Sequence, residues 1–214
     1  MNSKTIEELK KHLSLSENQR EILVGLLLGD GHLETQNYGR TYRLKIEHCT
    51  QQKEYIIWLY ERWSEWVHTP PQKKVQRIHD REYEKYFFNT LSHGAFRFYA
   101  HEFYRNHTKV VPRFIHRWLT PQAFAIWFMD DGSIKSQHHN ARILNTQGFT
   151  KRDVRRLALM LQKNFGLETS LRKQREGYQI MIAGKSSQRL RSILDPYILP
   201  SMRYKLPREG NTLA

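Results

Sequence analysis

Two apolar runs interrupt the largely polar pattern of this chain, and both end in the same way. Leu23-Val24-Gly25-Leu26-Leu27-Leu28-Gly29 carries no polar side chain on any face and then meets Asp30-Gly31, while Phe124-Ala125-Ile126-Trp127-Phe128-Met129 meets Asp130-Asp131-Gly132. A helix that is apolar all round is a buried one, so the pattern predicts two core helices, each surfacing in its last turn on a carboxylate before a helix-ending glycine. Asp30 and Asp131 stand 101 residues apart in a chain of 214, a period that means two half-chain repeats rather than a solenoid. Gly25 and Gly29 share one helix face and leave room for a second helix to approach the backbone. If that partner is the other run, the paired helix ends bring Asp30 and Asp131 together. Both runs fall well short of the ~20 residues that a bilayer requires, so no membrane partner is expected.

The rest of the pattern is amphipathic. Ile6, Leu9 and Leu13 mark a short peripheral helix within residues 1–15. Ser16 with Gln19 makes a capping box that starts the first apolar helix, and Thr120-Pro121 starts the second. Thr41–Glu47 alternates as a strand, with Tyr42, Leu44 and Ile46 on one face and Arg43, Lys45 and Glu47 on the other. Further strands are predicted at Lys73–Ile78 and Tyr83–Thr90, and helices at Lys53–Val67 and Ala95–Tyr104, the latter with its aromatic residues in the core. The second half repeats this order. A strand is expected at Arg142–Gln147, a helix capped by Thr150 and Asp153, strands at Thr169–Arg175 and Tyr178–Ile182, and a helix at Ser187–Leu194. The chain therefore reads as an α+β fold of tandem αββαββα repeats related by a pseudo-twofold axis, residues 1–118 and 119–214, with no Gly/Ser linker between them.

Composition narrows the function. The chain is 39% hydrophobic, has no long apolar segment and opens without a signal-peptide pattern, so a soluble intracellular protein is expected. Cys49 is the sole cysteine, which excludes an intramolecular disulfide and a thiolate zinc cluster. The spacings of His93, His101, His107 and His138-His139 match no standard zinc ligand set. A formal charge of +14 makes nucleic acid the default partner. The basic and amide side chains that recur on strands are the candidate DNA-binding residues: Arg43, Lys45, Lys73, Lys74, Gln76, Arg77, Arg142, Arg172 and Gln174. Two carboxylates facing such a surface repel each other unless a cation joins them, and hard divalent ions on oxygen ligands cleave phosphodiesters.

The two apolar runs resemble the signature of the LAGLIDADG homing endonucleases, in the single-chain form with two copies. Leu23–Gly31 matches the nine-letter pattern closely; the second copy keeps Ala125, Asp131 and Gly132 and has Ile126 where the family usually has glycine. Trp127–Gly132, Leu144-Asn145-Thr146-Gln147 and Pro200–Pro207 are similar to the branch typified by the omega-intron endonuclease, so the likeness runs from Ile22 to Pro207. It implies two antiparallel sheets forming a DNA-binding saddle around central signature helices, in a monomer that breaks both strands of a long, non-palindromic DNA target. It further implies Mg²⁺ or Mn²⁺ held at Asp30 and Asp131 with Gly29 and Asp130, and Ca²⁺ binding without cleavage. Lys109, in Lys109-Val110-Val111-Pro112, and Lys205, in Lys205-Leu206-Pro207, lie 96 residues apart and match the basic residue that the family places beside each metal. Glu47 and Gln147 match its water-holding positions. The competing class is an intron RNA maturase, with host intron RNA as partner, or a DNA-binding regulator on the same fold. Neither needs the carboxylates, and here both are present.

Overall fold

The computed structural model describes residues 3–78, 80–136 and 139–208. They form two compact units: Met1–Arg20 with Asp30–His101, and Glu21–Gly29 with Glu102–Ala214.

The first unit contains α1 (Ser3–Lys11) and the opening turn of α2 (Glu17–Leu28), which the capping box starts as expected: the Gln19 amide donates to Ser16 Oγ at 3.1 Å and the Ser16 amide to Gln19 Oε1 at 3.1 Å. Its sheet is antiparallel, with β1 (His32–Glu34), β2 (Arg43–Cys49), β3 (Gln72–Ile78) and β4 (Arg81–Asn89) in the order β1-β2-β4-β3. Leu44, Ile46 and His48 alternate inward on β2, where α3 (Lys53–Trp63) covers the sheet. Tyr55, Trp63, Trp66, Phe88 and Phe96 fill the space between. The helix expected at Ala95–Tyr104 is a 3-10 turn, Gly94–Phe96, followed by α4 (Arg97–Phe103). Phe96 and Phe103 are core residues as expected, whereas Phe98 is exposed. His93 caps this segment, its Nδ1 accepting from the Ala95 amide at 3.1 Å, a structural use of one of the histidines.

The second unit holds the remainder of α2, the short strands β5 (Tyr104–Arg105) and β6 (Thr108–Lys109), and the helices α5 (Ile115–Trp118) and α6 (Pro121–Asp131). Then come β7 (Gly132–Ser136), β8 (His139–Leu144), α7 (Lys151–Phe165), β9 (Thr169–Gln174), β10 (Gly177–Ile182) and α8 (Ser187–Leu194). Its sheet runs β7-β8-β10-β9, the same order as the first, and α7 packs on β9 and β10. The α+β class with its repeated strand order is thus present. His138 lies outside the described residues.

Ala123–Met129 of α6 are all buried, as are Ile22, Leu23, Val24 and Leu26–Leu28 of α2. The two helices meet at Gly25, where an added Cβ would sit 2.5 Å from the Ala123 carbonyl oxygen and 2.6 Å from Ile126 Cβ. Ile126, the departure from the family pattern, thus fills space that the opposing glycine leaves. Gly25→Ala is expected to cost about 1–3 kcal/mol by overpacking, because a backbone carbonyl cannot move aside as a flexible side chain would. A lowered urea midpoint at unchanged m-value checks this.

Candidate active site

Each apolar helix ends on carbonyl groups that carry the negative end of the helix dipole and have no intrahelical donor. In both cases a lysine ammonium from a distant segment supplies one. Lys109 Nζ donates to Gly29 O at 2.5 Å, and Lys205 Nζ donates to Met129 O and, at 3.3 Å, to Asp130 O. Gly29 immediately precedes Asp30 and Asp130 immediately precedes Asp131, so one arrangement occurs twice along the chain: helix-end carbonyl, lysine, next residue an aspartate. The helix ends also touch, since a Cβ on Gly29 would overlap the Asp130 carboxylate.

The two lysines arrive by different routes. Lys109 pairs with Tyr104 in the β5–β6 ladder, whose two-residue turn, Asn106-His107, has positive φ angles of 49° and 62°. Lys205 closes a 3-10 helix, Pro200–Lys205, and is 8% exposed.

The aspartates differ in their surroundings as well. The Asp30 side chain is 52% exposed, with His48 Nδ1 at 3.7 Å. It opens onto a cavity of about 460 Å³ lined also by His32, Lys45, Glu47, Cys49, Gln52 and Lys85, all in the first unit. Asp131 Oδ2 accepts from Trp127 Nε1 at 3.0 Å, one turn back on the same helix, so that carboxylate is oriented from within α6.

Strand register sorts the candidate DNA-binding residues. On the first sheet, Arg43, Lys45, Lys74 and Gln76 share the face turned away from α3. Lys73 and Arg77 are one residue out of phase with Lys74 and Gln76 and lie on the other face, where Lys73 pairs with Glu84 at 2.6 Å. Arg43 is paired with Glu34, its Nε 2.5 Å from Oε1. On the second sheet Arg172 is exposed, and Gln174 shares its face on the edge strand β9. Arg142 is a correction. It pairs with Ile182, shares the inward face with Leu144 and Ile180, and is 3% exposed. Its guanidinium donates to backbone carbonyls, with Nε 2.7 Å from Lys205 O and Nη1 3.1 Å from Ala141 O, and its burial keeps it from a base edge. Burial and the neighbouring Arg208 charge both lower its pKa.

Residues 20–190 match the LAGLIDADG DNA endonuclease family. The chain belongs to that family. Among its relatives is the DNA endonuclease I-ChuI of Chlamydomonas applanata, 32% identical over 93% of this chain and 98% of that protein. The solved structure of the homing endonuclease I-WcaI bound to its DNA recognition sequence is 29% identical, with a TM-score of 0.92 over 98% of this chain and 95% of that one. The cytochrome b mRNA maturase bI2 of Saccharomyces cerevisiae is 29% identical over 93% of this chain, which spans 49% of its length.

The structure also places Glu47 and Gln147. Glu47 lies in the Asp30 cavity, with Lys74 Nζ at 2.5 Å and Lys85 Nζ at 3.0 Å. Burial alone would raise its pKa, but the hydrogen bonds and charges of Lys74 and Lys85 outweigh burial and hold it below the ordinary carboxylate value. At neutral pH it is therefore an ionised acceptor. Near Asp131 the contact falls to Asn145, whose amide and Nδ2 both donate to Asp131 O at 3.0 Å. Gln147 is two residues farther along, beside Gly177 in the turn before α7. Residues near the aspartates that sequence reasoning does not single out include His48, Asn145 and, donating to Asn145 Oδ1 at 2.8 Å, Gln179. For Asn145 a signal exists, since it lies inside the family-like motif Leu144–Gln147.

Proposed function

We propose that this LAGLIDADG protein is a site-specific homing endonuclease that makes a double-strand break in a long, non-palindromic DNA target by divalent-metal-dependent phosphodiester hydrolysis. The observation that carries the reading is the doubled arrangement at the helix ends. A lysine sits on a carbonyl immediately before Asp30, and another on carbonyls immediately before Asp131.

The donor set fits a hard cation. Carboxylates and helix-terminal carbonyls are oxygen ligands, and these carbonyls already attract the ammonium of a lysine. Asp30 and Asp131 would each hold a divalent ion, Mg²⁺ in the cell with Mn²⁺ able to replace it, and Gly29 O and Asp130 O are the further oxygens at hand. When bound, such an ion supplies Lewis-acid charge and makes a bound water a stronger nucleophile. Lys109 and Lys205 set positive charge where the phosphorus becomes pentacoordinate and negative charge grows on its oxygens. Glu47 accepts a hydrogen bond from the attacking water and Asn145 is the polar group placed by Asp131. We assign Lys109 with Asp30 to one strand and Lys205 with Asp131 to the other, one repeat for each, with the repeats divided near residue 118. A monomer then suffices for both cuts.

DNA is gripped by the outward faces of the sheets, through Arg43, Lys45, Lys74, Arg172 and Gln174, and read in the major groove. Affinity is expected to fall steeply with salt, with a log–log slope of about −0.9 per neutralised phosphate. Anisotropy titrations over a salt series check this, and equal affinity for selected and scrambled duplexes at about 0.15 M salt would remove the site-specific reading. Selection of cleaved sequences from a randomised duplex library with Mg²⁺ tests the activity itself. Likeness to a maturase supplies the second reading. A protein that binds its intron RNA tightly and cuts no member of the library would establish it.

A further inference from the structure

We infer that Arg142 is a positioning residue for cleavage of one strand, a buried strut that holds Lys205 at the end of α6. The inference rests on the reading of Lys205 as one of the two cleavage lysines. It assigns to Arg142 a role that its place on a basic strand conceals.

The two lysines need different support. Lys109 belongs to a β ladder, pairing with Tyr104, and the next residue is tied down as well, the Val110 amide donating to Phe103 O at 2.8 Å. Lys205 lies outside the strands. Its segment is a 3-10 helix held internally by bonds such as Met202 N to Leu199 O at 2.9 Å and Leu206 N to Arg203 O at 3.0 Å. The segment is also anchored by Arg191, whose Nη1 donates to Pro207 O at 2.8 Å, and by the buried Met202 and Leu206. Arg142 acts on Lys205 itself: Nε donates to Lys205 O at 2.7 Å and Nη2 to Leu206 O. These are consecutive carbonyls, and the planar guanidinium meets both with one rigid fork. The base of the strut is fixed in turn, because Arg142 pairs with Ile182 in the sheet and Nη1 donates to Ala141 O at 3.1 Å. From the clamped Lys205 backbone the side chain reaches Met129 O and Asp130 O.

A lysine at position 142 keeps a cation but offers a point charge that cannot span two carbonyls. Arg142→Lys should therefore leave the fold and the outward basic faces in place while letting Lys205 drift, and misplacement by about 1 Å costs on the order of 10²-fold in rate. The experiment is strand-resolved single-turnover cleavage with each strand end-labelled, on wild type, R142K, R142A, K205M and K109M, alongside target affinity and Tm. R142K should slow by about 10- to 100-fold the strand that K205M slows, leave the strand that K109M slows near wild type, and change Kd less than about threefold. Millimolar guanidinium should restore part of that strand's rate in R142A. Equal slowing of both strands, a loss of affinity matching the loss of rate, or unchanged cleavage would overturn the inference. Normal cleavage by K205M would instead refute the underlying role of Lys205.

Discussion

Asp30→Asn/Asp131→Asn protein is expected to bind its target and cut neither strand. Each substitution removes a full negative charge from the carboxylates proposed to hold the ion while leaving side-chain size almost unchanged. The Asp30 side chain is about half exposed, so its change should move stability by no more than about 0.5 kcal/mol. With Asp131→Asn, the amide oxygen can still accept from Trp127 Nε1. Metal occupancy should therefore fail before folding does, and cleavage should fall by about 10³-fold or more. DNA binding should survive or tighten, since uncompensated carboxylates near phosphates repel them. Isothermal titration with Mn²⁺ and cleavage assays on the selected target provide the check. Folded double mutant that still makes Mg²⁺-dependent double-strand breaks would place the active site elsewhere. Among the single mutants, a protein that nicks one strand assigns that aspartate to the other strand, and one that cuts neither assigns it to both.

Lys109→Met and Lys205→Met should each slow cleavage by about 10²–10³-fold with site affinity nearly intact, because each charge matters most as the phosphate becomes pentacoordinate. The variants should differ in stability. Lys205 is almost fully buried, and methionine there leaves Met129 O and Asp130 O short of a donor inside the protein, at a cost of about 1–3 kcal/mol. Lys109 is partly exposed, so water can replace its bond to Gly29 O and the midpoint should move less. Urea melts read the one effect and single-turnover rates the other. If affinity fell in step with rate, the lysines would be phosphate clamps instead.

The helices and their starts are legible in the sequence because they rest on local signals. Ser16 with Gln19, Thr120-Pro121 and Thr150 with Asp153 each cap a helix as expected. The strands that follow the two aspartates, β1 and β7, are not. His32–Glu34 is too short to show a period, and Gly132–Ser136 has one apolar side chain in five. Faces are harder still, since a shift of one residue turns a side chain through the sheet. The basic clusters at 73–77 and 142 read as binding residues from type alone. Register sends Lys73 and Arg77 to the face opposite Lys74, and places Arg142 in line with Leu144 and Ile180, where it donates to backbone carbonyls. Counting from Asp131 points to Gln147, but the ladder sets Gly132 against Leu144, so the residue that meets Asp131 is Asn145.

The seating of Ile126 against Gly25 limits how the halves of this chain can be exchanged. Each helix is now cut to the other's shape, as a lock to its own key. A protein built from the first repeat twice would set Gly25 against Gly25 and open a void, and one built from the second twice would drive two isoleucines into each other. Neither half can therefore pair with a copy of itself at this contact unchanged. The bulk on one side and the gap on the other must change together.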